Sequence, residues 1–359
     1  MKILHVVNNL ETGGAQTLIE ALTQEQQSLG VETHVVVLLS RGTLSDRIEA
    51  VARSVVYLEI HGVSDALIVG ARRLKKAIRR IAPDIVHSHL LQADLLSILA
   101  ATGIPHVSTV HTSGGHEASL PARIVTWLLS QLSSSPDAVI ACSPSAALFS
   151  CSRLRRQPDA IILNGTALPD NRVLRVGQRD YVLHLARWHP MKDHDTLFQA
   201  VELLGPCAPQ LVCAGEGMTV EGGGAKLVAR YPSVNATFEG PVPEVSRYFA
   251  NALCLVISSS HGEALPMAGI EALSHGVPVV TTDVGDCRLL AVEPKLVVPP
   301  KDIEAIAAAI AYVKASNEET PTRLASLARA VAEKTFNVKQ TAAAYRRVYD
   351  NVLQERGDS

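Results

Sequence analysis

Residues 254–281 read CLVISSSHGEALPMAGIEALSHGVPVVT. Cys254–Ser258 and Val277–Thr281 are short, unalternating apolar runs, and Leu265–His275 between them spaces its apolar residues as a helix does. Strand, loop, helix, strand is the unit of a parallel sheet, whose strands are buried on both faces and so do not alternate. Two carboxylates, Glu263 and Glu271, frame the crossover.

The same alternation extends outward in both directions. Tyr181–Leu185, Gln210–Ala214, Ala236–Phe238 and Leu296–Val298 read as further strands of this half, with Ile303–Ala315 among its helices. The first half repeats the scheme, with strands at Ile3–Val7, Val35–Leu39, Val55–Leu58, Ile85–His87, His106–Val110, Ala138–Ala141 and Ala160–Leu163. Helical stretches such as Ala15–Leu29, Ala66–Ile81 and Ala122–Leu132 lie between them. Strands alternating with helices predict an α/β protein with parallel sheets. The turn formers Asn164, Gly165, Pro169, Asp170, Asn171 and Gly177 interrupt the pattern. The expected organisation is therefore two doubly wound, Rossmann-like domains, 1–165 and 179–336. A linker over 166–178 joins them, and a helical segment, 337–359, follows. Ligands of open parallel sheets sit beyond the carboxyl ends of the strands, so the chemistry belongs in the loops that follow strands, facing a cleft between the two domains.

Composition narrows the function. The chain has 359 residues, 47% hydrophobic, enough for two substantial cores. Its net charge is -2 and aromatics are only 4%, which argues against a nucleic-acid surface. Cysteines 142, 151, 207, 213, 254 and 287 form no CxxC pair, and buried free thiols are expected. The run after Lys2 is shorter than the ~7 to 15 residues of a signal core, and no stretch approaches the ~20 of a membrane span. A cytoplasmic protein is expected. The helix carrying Arg72, Arg73, Lys75, Lys76, Arg79 and Arg80 is either a solvated face or a peripheral contact with anionic lipid at the inner membrane face.

Several residues carry candidate chemistry. Gly13 and Gly14 lie between the first strand and first helix, where glycine admits close approach and the helix N-terminus offers N–H groups to phosphate. The dinucleotide pattern GxGxxG is absent. Arg187 and Lys192, in LARWHPMKDH, follow the first strand of the second half and suit a diphosphate. Asp193-His194-Asp195 resembles a DxD metal motif but also reads as the first turn of a helix. Glu263 and Glu271, eight apart, would share roughly one helical face, and carboxylates accept hydrogen bonds from the adjacent hydroxyls of a ribose or sugar ring. His89 and His111 end strands and face either a ligand or the core.

TGGAQ near the start, PDIVHSH, STVHT, ILNGT, LARWHPMKD, and above all EALPMAGIE between its two Glu with GVPVVTTDVG after it, resemble family 4 of the retaining glycosyltransferases, over essentially the whole chain. The resemblance implies the GT-B fold, a nucleotide-sugar donor (a UDP-sugar by expectation) and no metal or other cofactor. A sugar or lipid-linked acceptor is implied, with a role in cell-surface polysaccharide or glycoconjugate synthesis. It implies that Gly14 meets the distal phosphate, that Arg187 and Lys192 neutralise the diphosphate, and that Glu271 holds the ribose. Glu263, with the backbone of Ala264 and Leu265, would hold the transferred sugar, and His111 would meet that sugar near C6. The final helix, around Tyr345–Leu353, would cross back onto the first domain. Two positions depart from the family: Ala264 and Asp193 stand where glycine is common. A nucleotide-sugar epimerase and a two-domain sugar-binding protein are the competing readings.

Overall fold

The computed structural model describes residues 1–60, 63–114, 119–169, 179–242, 244–320 and 322–357. Residues 170–178 of the anticipated linker, with Asp170, Asn171 and Gly177, lie outside the described residues. The chain divides into two compact units, one of Met1–Gly165 with Val338–Ser359 and one of Thr166–Asn337.

The first unit holds strands β1 (Lys2–Val7), β2 (Glu32–Val37), β3 (Ser54–Tyr57), β4 (Ile85–His89), β5 (His106–Val110), β6 (Ala138–Ala141) and β7 (Ala160–Ile161). Its helices are α1 (Gly14–Ser28), α2 (Ser45–Val51), α3 (Val63–Ile81), α4 (Leu91–Ala100), α5 (Leu120–Gln131) and α6 (Pro144–Phe149). The second unit holds β8 (Tyr181–Leu185), β9 (Gln210–Ala214), β10 (Ala236–Phe238), β11 (Ala252–Ile257), β12 (Val279–Thr282) and β13 (Val297–Val298). It carries α7 (His194–Leu203), α8 (Gly223–Arg230), α9 (Ser246–Phe249), α10 (Met267–Ser274), α11 (Ile303–Glu319) and α12 (Arg323–Thr335). The last helix, α13 (Val338–Gly357), belongs to the first unit.

Both sheets are parallel and doubly wound. Their orders are β3-β2-β1-β4-β5-β6-β7 and β10-β9-β8-β11-β12-β13. Strand order therefore reverses between β1 and β4 in one unit and between β8 and β11 in the other. Such switch points open a crevice at the carboxyl ends of the strands.

The unalternating strands have a direct cause. Leu4 and Val6 of β1 pack with Leu74, Ile78 and Leu96 from α3 and α4. Ile3, on the opposite face, packs with Leu22 of α1 and with Tyr345 and Tyr349 of α13. Ala342, Tyr345, Tyr349 and Val352 recur at intervals of three and four, so α13 presents one buried stripe to the first sheet. At the entry to α13, a Cβ on Gly165 would stand 2.9 Å from the backbone of Val338. In the second unit Val182, Leu211, Cys254, Val256 and Val280 form the sheet's contribution to a core shared with Phe198, Val201, Ile306 and Ile310.

Three local readings change. The helix anticipated at Leu265–His275 begins only at Met267, because Pro266 sits at its N-cap with φ -70 and ψ 125, and proline biases the residue before it toward extended backbone. Leu265 thus joins Glu263 and Ala264 in the loop expected before the helix, and with Glu263 outside the helix the two glutamates do not share a helical face. The strand ending at Val298 is shortened because Pro294–Leu296 form a 3-10 turn. All six cysteines are free, but only Cys142, Cys213, Cys254 and Cys287 are buried; Cys151 and Cys207 are exposed.

Candidate functional site

The second unit assembles its candidate site at the switch point. From β8 the chain runs through Arg187 into a 3-10 turn, Pro190–Lys192, and enters α7 at Asp193. Asp193 adopts the left-handed region, φ 48 and ψ 54, which Asp and Asn tolerate better than other non-glycine residues. The departure from glycine at this position is therefore accommodated. Its carboxylate accepts from Thr196 Oγ1 at 2.8 Å. Asp195 pairs with Arg230 at 2.5 Å and accepts from Tyr231 at 3.0 Å. Both carboxylates of the DxD-like triplet are engaged by protein groups.

Histidines brace this loop from below. His184 Nδ1 lies 2.9 Å from the Val256 carbonyl and its Nε2 3.0 Å from His194 Nδ1. A carbonyl only accepts, so neutral His184 carries its proton on Nδ1 and receives His194 Nδ1–H on Nε2. Burial holds both rings neutral, His184 down to about 3 and His194 to about 4. Trp188 stacks on His194, with centroids 5.0 Å apart.

The loop after β11 is laced to the loop after β8. Ser258 Oγ donates to the Lys192 carbonyl at 2.8 Å, and Ser260 N–H to the Met191 carbonyl at 2.8 Å. Lys192 Nζ forms an ion pair with Glu263 Oε1, which also accepts from Ser259 Oγ at 2.6 Å. Glu263 is 7% exposed. Among the described residues the guanidinium of Arg187, which is exposed, makes no hydrogen bond or ion pair. Ala264 and Leu265 are buried. Ala264 is not among the residues with positive φ, so glycine's freedom is not required there. A third loop, after β12, closes the arrangement. Asp286 N–H donates to the Ala264 carbonyl at 2.9 Å, and Gly285, at φ 56, would place a Cβ 2.0 Å from the Glu263 carbonyl oxygen. Glu271 is half-buried, one turn into α10.

In the first unit, Gly13 caps α1 and Gly14 begins it, with no side-chain cap and no acidic residue in the first turn. A helix start of this kind is where dipole and N–H groups favour an anion. His111 follows β5. Its Nε2 lies 3.0 Å from His89 Nδ1, and among the described residues its buried Nδ1 has no partner. Burial lowers its pKa to about 4, so the ring is neutral. On α3, Arg72, Arg73, Lys76, Arg79 and Arg80 are exposed. Among the described residues no helix is long and apolar enough to cross a membrane.

Two features went unseen in the sequence. The Lys192–Glu263 pair joins residues 71 apart, and only the adjacency of β8 and β11 brings them together. His5 and Gln26 belong to a buried chain ending at His111, a link that no motif spacing encodes.

Comparison with known proteins places this architecture. Residues 12–168 match the family described as Glycosyltransferase Family 4, and residues 179–315 match Glycosyl transferases group 1. The chain is 24% identical over 310 residues to EpsF of Bacillus subtilis (strain 168), a protein named as a glycosyltransferase, covering 79% of each chain. A stretch of 74 residues is 36% identical to an exopolysaccharide phosphotransferase of Streptomyces coelicolor, spanning 8% of that protein. Among solved structures, Anabaena HepE in complex with UDP and glucose superposes with a TM-score of 0.80 at 18% identity, over 98% of this chain and 100% of that one. Sucrose-phosphate synthase of Thermosynechococcus elongatus gives 0.79 at 18% identity, over 99% and 100%.

Proposed function

Because this chain belongs to the family 4 glycosyltransferases and has their GT-B fold, we propose that it is a retaining, metal-independent hexosyltransferase. The proposed donor is a UDP-sugar and the proposed acceptor a sugar or lipid-linked hydroxyl, in cell-surface polysaccharide or glycoconjugate synthesis. The observation that carries this reading is the Lys192–Glu263 ion pair, one cation and one carboxylate held by adjacent central strands at the switch point. HepE, in a structure with UDP-glucose, supports uracil as the base.

In this proposal Lys192 and Arg187 offset the diphosphate's charge, and the first-turn N–H groups at Gly13 and Gly14 meet the distal phosphate. Glu271 accepts from the ribose hydroxyls. Glu263 and the backbone of Ala264 and Leu265 hold the transferred sugar, and His111 contacts it. The acceptor oxygen attacks the anomeric carbon on the face from which the diphosphate departs, and the departing phosphate takes the acceptor's proton. Net atoms balance as glycoside plus nucleoside diphosphate. The protein contributes positioning and charge stabilisation.

The test is incubation with UDP-, GDP- and ADP-sugars, with and without EDTA, following nucleoside diphosphate release and the product's anomeric configuration by NMR. Retention, with release unaffected by chelation, is expected. An isomerised nucleotide sugar with no diphosphate released would establish an epimerase. Loss in EDTA restored by Mn²⁺ would move the diphosphate role to a metal held near Asp193 and Asp195.

Peripheral attachment to an anionic membrane is also proposed. The helix α4 contacts both α3 and α5, and α5 exposes Leu120, Ile124 and Trp127, at 68%, 49% and 60%, on one stripe. Vesicles rich in phosphatidylglycerol should co-sediment the protein, whereas phosphatidylcholine vesicles should not. Equal behaviour toward both refutes the contact.

A further inference from the structure

A file of buried polar side chains crosses the first sheet along its three central strands. Gln26 Oε1 of α1 lies 3.0 Å from His5 Nε2 of β1, and His5 Nδ1 lies 3.0 Å from His89 Nε2 of β4. His89 Nδ1 lies 3.0 Å from His111 Nε2, just past β5. A branch leaves Gln26 through Tyr349 of α13, at 3.4 Å, to His87 Nδ1 at 2.7 Å, and His87 Nε2 meets Thr109 Oγ1 at 2.8 Å. Desolvation keeps His5, His87, His89 and His111 neutral, so each ring has one donor and one acceptor.

A file of neutral imidazoles has only two complete orders. In one, the Gln26 carbonyl accepts from His5, every ring from His5 to His111 carries its proton on Nε2, and His111 ends the file with a bare Nδ1. In the other, the Gln26 amide donates, every proton moves to Nδ1, and the file ends in an N–H on His111. That terminal nitrogen is buried and, among the described residues, has no partner. A buried N–H without an acceptor is rarer than an acceptor left over. The first order also lets the Gln26 amide donate to Tyr349, whose hydroxyl then donates to His87.

We propose that Gln26 is a positioning residue which, through His5 and His89, fixes His111 as the Nε2–H tautomer and keeps Nδ1 as a hydrogen-bond acceptor for a ligand hydroxyl. The identity of that hydroxyl as a sugar's rests on the transferase reading; the proton order does not. His5, His87 and His89 also have ring nitrogens within 4.8 Å of one another, the spacing of a histidine metal site, and the test separates the two.

The experiment is long-range ¹H–¹⁵N correlation on ligand-free protein labelled at histidine, with His111→Asn used for assignment. His5, His89 and His111 should each be protonated on Nε2 alone, and Gln26→Met should give His111 a mixture of tautomers while His184 and His194 stay unchanged. A wild-type His111 protonated on Nδ1 overturns the proposal, even if Gln26→Met does not fold. So does an unmoved His111 in a folded Gln26→Met, or one equivalent of metal found by elemental analysis with its release altering these rings. Turnover of UDP-glucose is measured separately. In Gln26→Met it should fall while the Kd for UDP is unchanged. Unchanged turnover alongside the shifted tautomer overturns the sugar-hydroxyl assignment alone.

Discussion

At the residue scale, the Lys192–Glu263 pair makes a double demand on each partner. Both side chains are largely withdrawn from water, at 18% and 8% exposure, and removing one leaves the other charge uncompensated. Lys192→Ala should therefore destabilise the second unit by about 3 kcal/mol, the low end for a broken buried pair. Adding Glu263→Gln should recover part of that loss. Urea midpoints of the two singles and the double decide this, and strictly additive losses would show the pair to be uncoupled. Arg187→Ala, at an exposed side chain, should cost less than about 0.5 kcal/mol of stability. Yet each of Lys192→Ala and Arg187→Ala should lower kcat/KM by on the order of 10²-fold, if each loses a transition-state contact of ~3 kcal/mol. Near-normal rates in both would remove the diphosphate assignment.

At the element scale, two helices bear residues of the proposed donor site, and each yields a test. Asp193 enters α7 in a left-handed conformation that costs an L-residue ~1–2 kcal/mol. Asp193→Gly removes that strain but also a hydrogen bond to Thr196 worth about 1 kcal/mol. Its melting temperature should stay near wild type, whereas Asp193→Val should unfold several degrees lower. Equal tolerance of both would mean that the turn relaxes. Glu271 stands half-buried in the apolar helix α10. If it accepts from a ribose diol, Glu271→Ala should weaken UDP binding by ~1.5–3 kcal/mol in calorimetry of the folded variant. A lower melting temperature with unchanged affinity would make it structural.

At the scale of the whole molecule, stability should depend on pH through neutral buried histidines. In the first unit His5, His106 and His111 are each lowered to about 4, and His87 and His89 well below their ordinary value, all chiefly by burial. In the second, His184 falls to about 3 and His194 to about 4. For a lowered base the unfolded chain binds the proton first, so stability is full above about 6.5 and is lost as pH falls toward 4. Asp94 acts in the opposite sense. Buried beneath Ser88, it is raised by desolvation to about 7, so its contribution is full below the unfolded value and lost as pH rises through 7. The histidines outnumber it, so the urea midpoint at pH 5 should lie well below that at pH 7.5. Asp94→Asn should deepen the acid loss. A flat profile from pH 7.5 to 5 would contradict the buried, neutral rings.

The strands could be read from the chain because burial on both faces is a local property: such runs are mostly apolar and do not alternate, and Ile3–Val7, with His5 its one polar residue, or Cys254–Ser258 says so without its neighbours. Family membership was legible for a related reason, since EALPMAGIE lies within one loop and one helix. Pro266 shows the limit even there. It delayed the helix from Leu265 to Met267, a matter of one residue's backbone rather than of periodicity. Pairing across the sheet was not legible at all. Lys192 meets Glu263 because β8 lies beside β11, and His5 meets His89 because β1 lies beside β4. Strand order is set by which crossovers pack, so residues 71 and 84 positions apart become neighbours through contacts that neither local sequence encodes.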